Sequence, residues 1–207
     1  AGALAAGAFA ATAYLVRYDL GLFSDFTYFL DDPVNGDQFE QQDRRIITGG
    51  RLVRQWLGTL SGLQMENEAG IQFRNDNITA LNLYRTEARR FLGVTRADHV
   101  SQTSGAAFLQ NSTTWSPYFR SIIGLRGDLY HFNVNSDNPL NSGAVGRGLL
   151  SPKLALVAGP WGKTELYANA GFGFHSNDGR GATITVSAQD GSPVDKVDPL
   201  VRAKGAE

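Results

Sequence analysis

A strict alternation of apolar and polar positions runs through residues 10–31 of this chain. Only a β-strand places successive side chains on opposite faces, so this stretch predicts one strand with an apolar face and a polar face. At about 22 residues, it is several times longer than the usual ~5–6 residues of a strand. Such length is typical of sheets that cross a bilayer, which takes ~9–11 tilted residues, and continue into water. We expect lipid to contact the apolar side chains at even positions: Tyr14, Val16, Tyr18, Leu20, Leu22, Phe26, Tyr28 and Leu30.

The same two-residue period predicts further strands along the chain, giving an all-β, antiparallel meander of about eight strands. These strands cover residues 46–57, 63–76, 98–114, 118–132, 150–158, 165–174 and 198–207. In strand 118–132, the apolar face carries Phe119, Ile123, Leu125 and Leu129, and the opposite face carries Arg120, Arg126, Asp128 and Tyr130.

The predicted connections alternate in length. Long polar connections cover residues 32–45, 77–97, 133–148 and 176–197, and residues 79–92 have room for a turn or two of helix. Short turns cover residues 58–62, 115–117 and 159–162. Because alternate connections of a meander lie at the same end, one end is expected to carry only tight turns and the other only long loops, as in outer-membrane barrels. Trp56, Trp115 and Trp161 lie beside the short turns, where an aromatic girdle is expected.

Composition alone also fits a soluble protein, either a β-sandwich or a lipocalin-like barrel whose apolar face forms the core. The chain has 207 residues, 24 glycines, no cysteine and a formal net charge of −1. The balanced charge gives no basic surface for nucleic acid, and the lack of cysteine excludes disulfides and thiolate metal sites. No apolar run reaches the ~18 residues of a transmembrane helix. The Ala/Gly-rich start predicts a turn before the first strand rather than a signal peptide.

The polar face predicts one arc of a larger barrel rather than a closed eight-stranded one, whose interior is packed with side chains. Glycine is mixed with charge on this face, at Gly21, Gly49, Gly70, Gly171 and Gly173, which suits a wide lumen that is wet or plugged. The candidate lumenal or plug-facing residues are Asp25, Glu66, Glu68, Arg74, Arg120, Arg126 and Asp128. Because a buried charge without a partner is costly, we expect some of them, Arg126 included, to contact a plug.

Three runs of residues closely resemble the barrel region of TonB-dependent outer-membrane receptors: SDFTYFLDDPVNGDQFEQ at 24–41, SPKL at 151–154 and ANAGFGFHSNDGRG at 168–181. The resemblance extends from about residue 14 to residue 207. It implies part of a 22-stranded barrel in the outer membrane of a Gram-negative cell, filled by an N-terminal plug domain. It further implies energised uptake of a small-molecule ligand such as a ferric siderophore, another metal chelate or cobalamin, through the TonB complex. Residues 1–207 contain no plug, no TonB box and no terminal aromatic strand, so we interpret them as about a third of a parent protein.

Motifs for catalysis are lacking. His99, His131 and His175 belong to no spaced catalytic motif, so we predict no enzyme, no cofactor and no metal, with a barrel hydrolase as the weaker alternative. Residues 31–37 approach a calcium-loop pattern, but Pro33 takes a ligand position, and a turn is preferred. His175, Ser176, Asn177, Asp178 and Arg180 either contact ligand or fix the base of a loop through side-chain to backbone hydrogen bonds. A passive porin remains the alternative transport function.

Overall fold

A computed structural model describes residues 7–207 as a single eight-stranded antiparallel sheet in the order β1-β2-β3-β4-β5-β6-β7-β8. The all-β antiparallel fold predicted from the sequence is confirmed. Within the described residues the sheet is not closed, because β1 and β8 lie at its two edges. The turn predicted at the start of the chain falls mostly on residues outside the described range. The strands are β1 (Gly7–Ser24), β2 (Phe39–Leu60), β3 (Leu63–Glu87), β4 (Arg90–Ser116), β5 (Phe119–Ser136), β6 (Gly143–Trp161), β7 (Thr164–Ser176) and β8 (Leu200–Ala206).

The two ends of the sheet differ in their connections. Two-residue turns at 61–62, 117–118 and 162–163 join strands at one end, as predicted. The other end carries the loop 25–38, the two-residue turn 88–89, the segment 137–142 with a 3-10 turn at Pro139–Asn141, and the segment 177–199 with the short helix α1 (Gly179–Thr183). The prediction that this end carries only long loops is therefore wrong. No helix within residues 7–207 is long and apolar enough to span a membrane.

The predicted long loop and helical turns at 77–97 are wrong. Here β3 and β4, of 25 and 27 residues, continue to a two-residue turn at Ala88 and Arg89. Both residues have positive φ, 45° and 65°, as a tight hairpin turn of this type requires. Asn-Gly is the usual sequence for that backbone. Because Ala-Arg stands there instead, the sequence carries no turn signal.

The boundaries of the first loop are also shifted. β1 ends at Ser24, so Phe26, Tyr28 and Leu30 belong to the loop 25–38 and not to a strand. β2 begins at Phe39, within the predicted loop 32–45, and β6 begins at Gly143, within the predicted loop 133–148. Residues in these stretches are polar, but pairing with a neighbouring strand satisfies their backbone groups.

One face of the sheet carries a band of exposed apolar side chains. On β3 the band lies between Asn67 and Asn75, roughly 27 Å apart along the strand at ~3.4 Å per residue. With a strand tilt of about 40° this corresponds to a height of about 21 Å, slightly less than the ~25 Å of a barrel's lipid-facing band. We call this side the apolar face. Its exposed side chains include Leu52, Ile71, Phe73, Leu109, Ile123, Leu125, Leu129, Leu150 and Leu154.

The side chains of β1 lie opposite to the prediction. Tyr14 of β1 pairs with Gly49 of β2, and Gly49 pairs in turn with Arg74 of β3. Directly paired residues lie on the same face, so the even positions of β1 share the face of the charged residues. The apolar face of β1 is formed by Phe9, Ala11, Ala13 and Leu15, and Leu15 is 73% exposed. Arg17 and Asp19 follow on the same face closer to the loops, where Asp19 is 3.3 Å from Arg44.

Candidate functional site

The face opposite the apolar band, called here the polar face, carries an Arg and an Asp two residues apart on four successive strands. Residues at i and i+2 of a strand lie on the same face, so each pair forms within its own strand. The acid is buried in three of the pairs, and the guanidinium lies over it. The pairs are Arg45–Asp43 on β2, Arg74–Asp76 on β3 at 2.9 Å, Arg96–Asp98 on β4 at 2.5 Å and Arg126–Asp128 on β5 at 2.8 Å.

The partner of Arg126 therefore lies in its own strand. Asp128 accepts hydrogen bonds from both Nε and Nη2 of Arg126, and Gln72 accepts a further one from Nη2 at 3.4 Å. Glu68 accepts from Gln55 at 2.7 Å and from Arg51 at 3.3 Å. A plug is not needed to neutralise these charges.

The remaining predicted lumenal residues lie in different settings. Glu66 and Arg120 share the polar face by register, towards the end with two-residue turns. Asp25 lies just beyond β1, in the loop 25–38, and its Oδ1 is buried without a hydrogen-bond partner among the described residues. Sequence reasoning missed Arg45, Asp43 and Arg96, which lie in predicted loops, and Asp98, the first residue of the predicted strand 98–114. The repeated spacing of Arg and Asp at i and i+2 was the available signal.

Two of the glycines on the polar face allow an aromatic ring to lie flat on the sheet. A Cβ atom at Gly49 would overlap the phenol of Tyr14, and one at Gly70 would lie 2.5 Å from Cζ of Phe108. Gly21, in contrast, pairs with Gln42 and lies on the other face. At Gly49 and Gly70 the lack of a side chain therefore lets a neighbouring ring cover the backbone.

We expect Gly49→Ala in the intact protein to lower the free energy of unfolding by about 1–3 kcal/mol, the usual cost of overpacking. The added methyl group meets the Tyr14 ring and also the Phe73 carbonyl oxygen at 2.9 Å. Urea unfolding of Gly49→Ala, Tyr14→Ala and the double variant measures the effect. Part of the loss should disappear in the Tyr14→Ala background; full additivity would contradict the predicted contact.

The residues 175–180 form the base of the segment 177–199. Asn177 donates from Nδ2 to the Asp198 carbonyl at 2.7 Å, and its backbone N–H donates to the Pro199 carbonyl at 2.9 Å. Asp178 caps α1 by accepting from the Arg180 N–H at 2.9 Å, and it also accepts from the Arg180 guanidinium. Burial alone raises the pKa of Asp178, but these bonds and the charge of Arg180 outweigh it, so the pKa lies below its usual range. His175 is exposed at the end of β7, and Ser176 is half-buried beside it.

The segment 177–199 folds back onto the polar face. Gly179 lies against the ring of Phe132, which is 0% exposed, and Arg180 is 3.8 Å from the buried Asp98. The Asn141 side chain accepts from the N–H groups of Thr185 and Val186 at 2.9 and 3.1 Å and donates to the Val186 carbonyl. The contact thus combines a small apolar core with satisfied backbone groups.

The loop 25–38 is held by two aspartates. Asp37 accepts from the N–H groups of Leu30, Asp31 and Asp32 at 2.8–3.1 Å, and Asp32 accepts from those of Val34 and Asn35 at 3.0 and 2.9 Å. The carboxylates of Asp32 and Asp37 thus accept hydrogen bonds from backbone N–H groups. Residues 31–37, whose sequence approaches a calcium-loop pattern, therefore form a turn. Among residues 7–207, no group of three or more His, Cys, Asp or Glu side chains is placed to hold a metal ion.

We expect this loop to lose order in acid. Hydrogen bonds from Asn35 and Val34 lower the pKa of Asp32, and those from the N–H groups at 30–32 outweigh desolvation and lower the pKa of Asp37. A lowered pKa stabilises the folded loop above the ordinary carboxyl pKa of about 3.9, and that stability is lost as the pH falls through the lowered value.

The measurement is amide protection of residues 25–38 by hydrogen exchange, corrected for intrinsic rates, from about pH 5 down to about pH 2. Asp37→Asn should lower protection at the upper pH and flatten the profile. Asp31→Asn is the matched control, since its carboxylate accepts no hydrogen bond within the described residues. A wild-type profile that does not fall in acid would disprove the role of the carboxylates.

An antiparallel sheet with an exposed apolar band on one face and ion-paired side chains on the other defines the wall of a transmembrane β-barrel. The chain belongs to the TonB-dependent receptor family: the family model described as TonB dependent receptor-like, beta-barrel, matches residues 5–195. This family comprises receptors and transporters of the Gram-negative outer membrane and is not a family of enzymes. A search of curated proteins found no match.

Proposed function

We propose that the intact protein containing this chain imports a scarce ligand, such as a ferric siderophore or cobalamin, with energy delivered by TonB through a plug domain. The observation that carries the proposal is the opposite chemistry of the two faces of one sheet. The apolar face suits acyl chains, and the polar face suits an aqueous or protein-filled lumen. In this arrangement residues 7–207 form one arc of the barrel around the plug.

The segment 177–199 is the proposed contribution of this arc to ligand access. It packs on the polar face at the end with longer connections, the extracellular end of such barrels. His175 and Ser176 are the proposed ligand contacts, whereas Asn177, Asp178 and Arg180 hold the loop base. We expect His175→Ala to weaken ligand binding and Asp178→Ala to alter the loop.

The test is uptake by cells that carry or lack the parent gene, using radiolabelled ferric siderophores and cobalamin. We expect uptake only with the parent protein, and its loss when a protonophore removes the inner-membrane gradient. Uptake that survives the protonophore would contradict energised import.

One observation favours a second candidate, a passive porin. The segment 177–199 folds onto the polar face, as a constriction loop does in an open barrel. Single-channel recording of the intact protein separates the two functions. We expect almost no steady current from a plugged receptor, and large steady currents would favour the porin.

A further inference from the structure

The polar face contains a depression of about 510 Å³ at the middle of the wall. Its floor is the Phe108 ring, which lies on Gly70, and the Arg51 guanidinium is 5.2 Å from the centre of that ring. The Lys153 stem lies across Gly124, where a Cβ atom would be 2.8 Å from Lys153 Cε. Arg126 completes the rim. We call this depression the mid-wall basin.

The charges around the basin do not cancel. Glu68 is matched by Arg51, and Asp128 is matched by Arg126. Lys153 is exposed and forms no ion pair within residues 7–207. One positive charge, that of Lys153, is therefore left without a partner beside the Phe108 ring, and a carboxylate is the partner with which an ammonium group forms its strongest hydrogen bonds.

The height of the basin indicates where that carboxylate comes from. Gln110 and Gly124, which line it, are neighbours in sequence of Leu109 and Leu125 on the apolar face. The basin thus lies at the depth of the bilayer, away from the loops through which a ligand arrives. In a barrel of this family, the occupant at that depth is the plug.

We propose that the mid-wall basin is a docking site for an acidic side chain of the plug, whose carboxylate pairs with Lys153 while its neighbouring apolar group packs on Phe108. The proposal rests on the proposed function, since it requires a plugged barrel. It places the plug contact at Lys153 rather than at Arg126, which is already neutralised.

The experiment uses the intact receptor with Lys153→Glu, Lys153→Met and, as a matched control, Lys163→Glu in the exposed turn 162–163. We expect Lys153→Glu to speed hydrogen exchange of the plug roughly 10- to 100-fold, the factor equivalent to one charge-assisted hydrogen bond. Lys153→Met should have a smaller effect, and Lys163→Glu none. Carbodiimide treatment should cross-link Lys153 to a plug Asp or Glu, identified by mass spectrometry.

The outcomes separate the two proposals. A large steady current through the wild-type protein refutes the plugged receptor itself. A closed wild-type channel with unchanged plug exchange in Lys153→Glu and no cross-link refutes only the docking site. Weakened ligand binding with unchanged plug exchange assigns the basin to the ligand and also overturns the proposal.

Discussion

Replacement of Phe132 by alanine is expected to lower the free energy of unfolding of the intact protein by about 3–5 kcal/mol, the range for a buried Phe→Ala change. Phe132 is fully buried between Tyr130, whose ring centroid is 6.0 Å away, and Gly179 of α1. Its loss leaves a cavity between the sheet and the segment 177–199. Hydrogen exchange should show lost protection at Thr185 and Val186, beside chemical unfolding of the whole protein.

The control for this prediction is Phe29→Ala, in the loop 25–38, where the ring is 61% exposed. We expect a change within about 0.5 kcal/mol, as for most surface substitutions. Equal effects of the two substitutions would show that the segment 177–199 does not form a core with Phe132.

The second large effect is expected for Leu125→Arg, which places a charge on the apolar face near the middle of β5. An arginine on the lipid side of a barrel costs about 2–4 kcal/mol near the bilayer midplane. Leu125 is half-exposed, and its direct partners on the neighbouring strands are Leu109 and Pro152. Unfolding of the intact protein in lipid vesicles, followed by heat-modifiable gel mobility, measures the loss.

Gln110→Arg is the matched control, because Gln110 pairs with Gly124 beside Leu125 but lies on the polar face. The same added charge should be tolerated there, because the new arginine would lie beside Glu68 and face the lumen, which holds water or the plug. If Gln110→Arg were as costly as Leu125→Arg, the assignment of the two faces would be wrong.

The existence and pairing order of the strands could be predicted from the sequence because alternation survives wherever one face meets lipid. The third, fifth and seventh strands were therefore recognised, with their three tight turns. Prediction failed where the strands leave the bilayer. In residues 77–97 neither face meets lipid, and one face is partly covered, as the buried Ile78 and Thr86 show. The regular alternation of apolar and polar residues is lost there, so the sequence resembles a loop.

The face of β1 illustrates a second limit. Its even positions are more apolar, yet they share the polar face with Arg74, because position along the strand matters as well as parity. Phe9, Ala11, Ala13 and Leu15 lie at the depth of the apolar band, whereas the charged Arg17 and Asp19 lie beyond it. Alternation separates two faces, but only the register with β2 shows which one is outside.

Some features of the candidate site could likewise be predicted from the sequence, and others depend on the tertiary structure. The sequence by itself determined the antiparallel meander, the short-turn end and the charged residues of the polar face, since side-chain period and turn composition are local properties. The tertiary structure alone decided that Asp128 neutralises Arg126, that Phe108 covers Gly70 and that the segment 177–199 packs on Phe132. Side-chain rotamers, cross-strand register and the folding back of a loop depend on contacts between residues far apart in the chain, which no local pattern records.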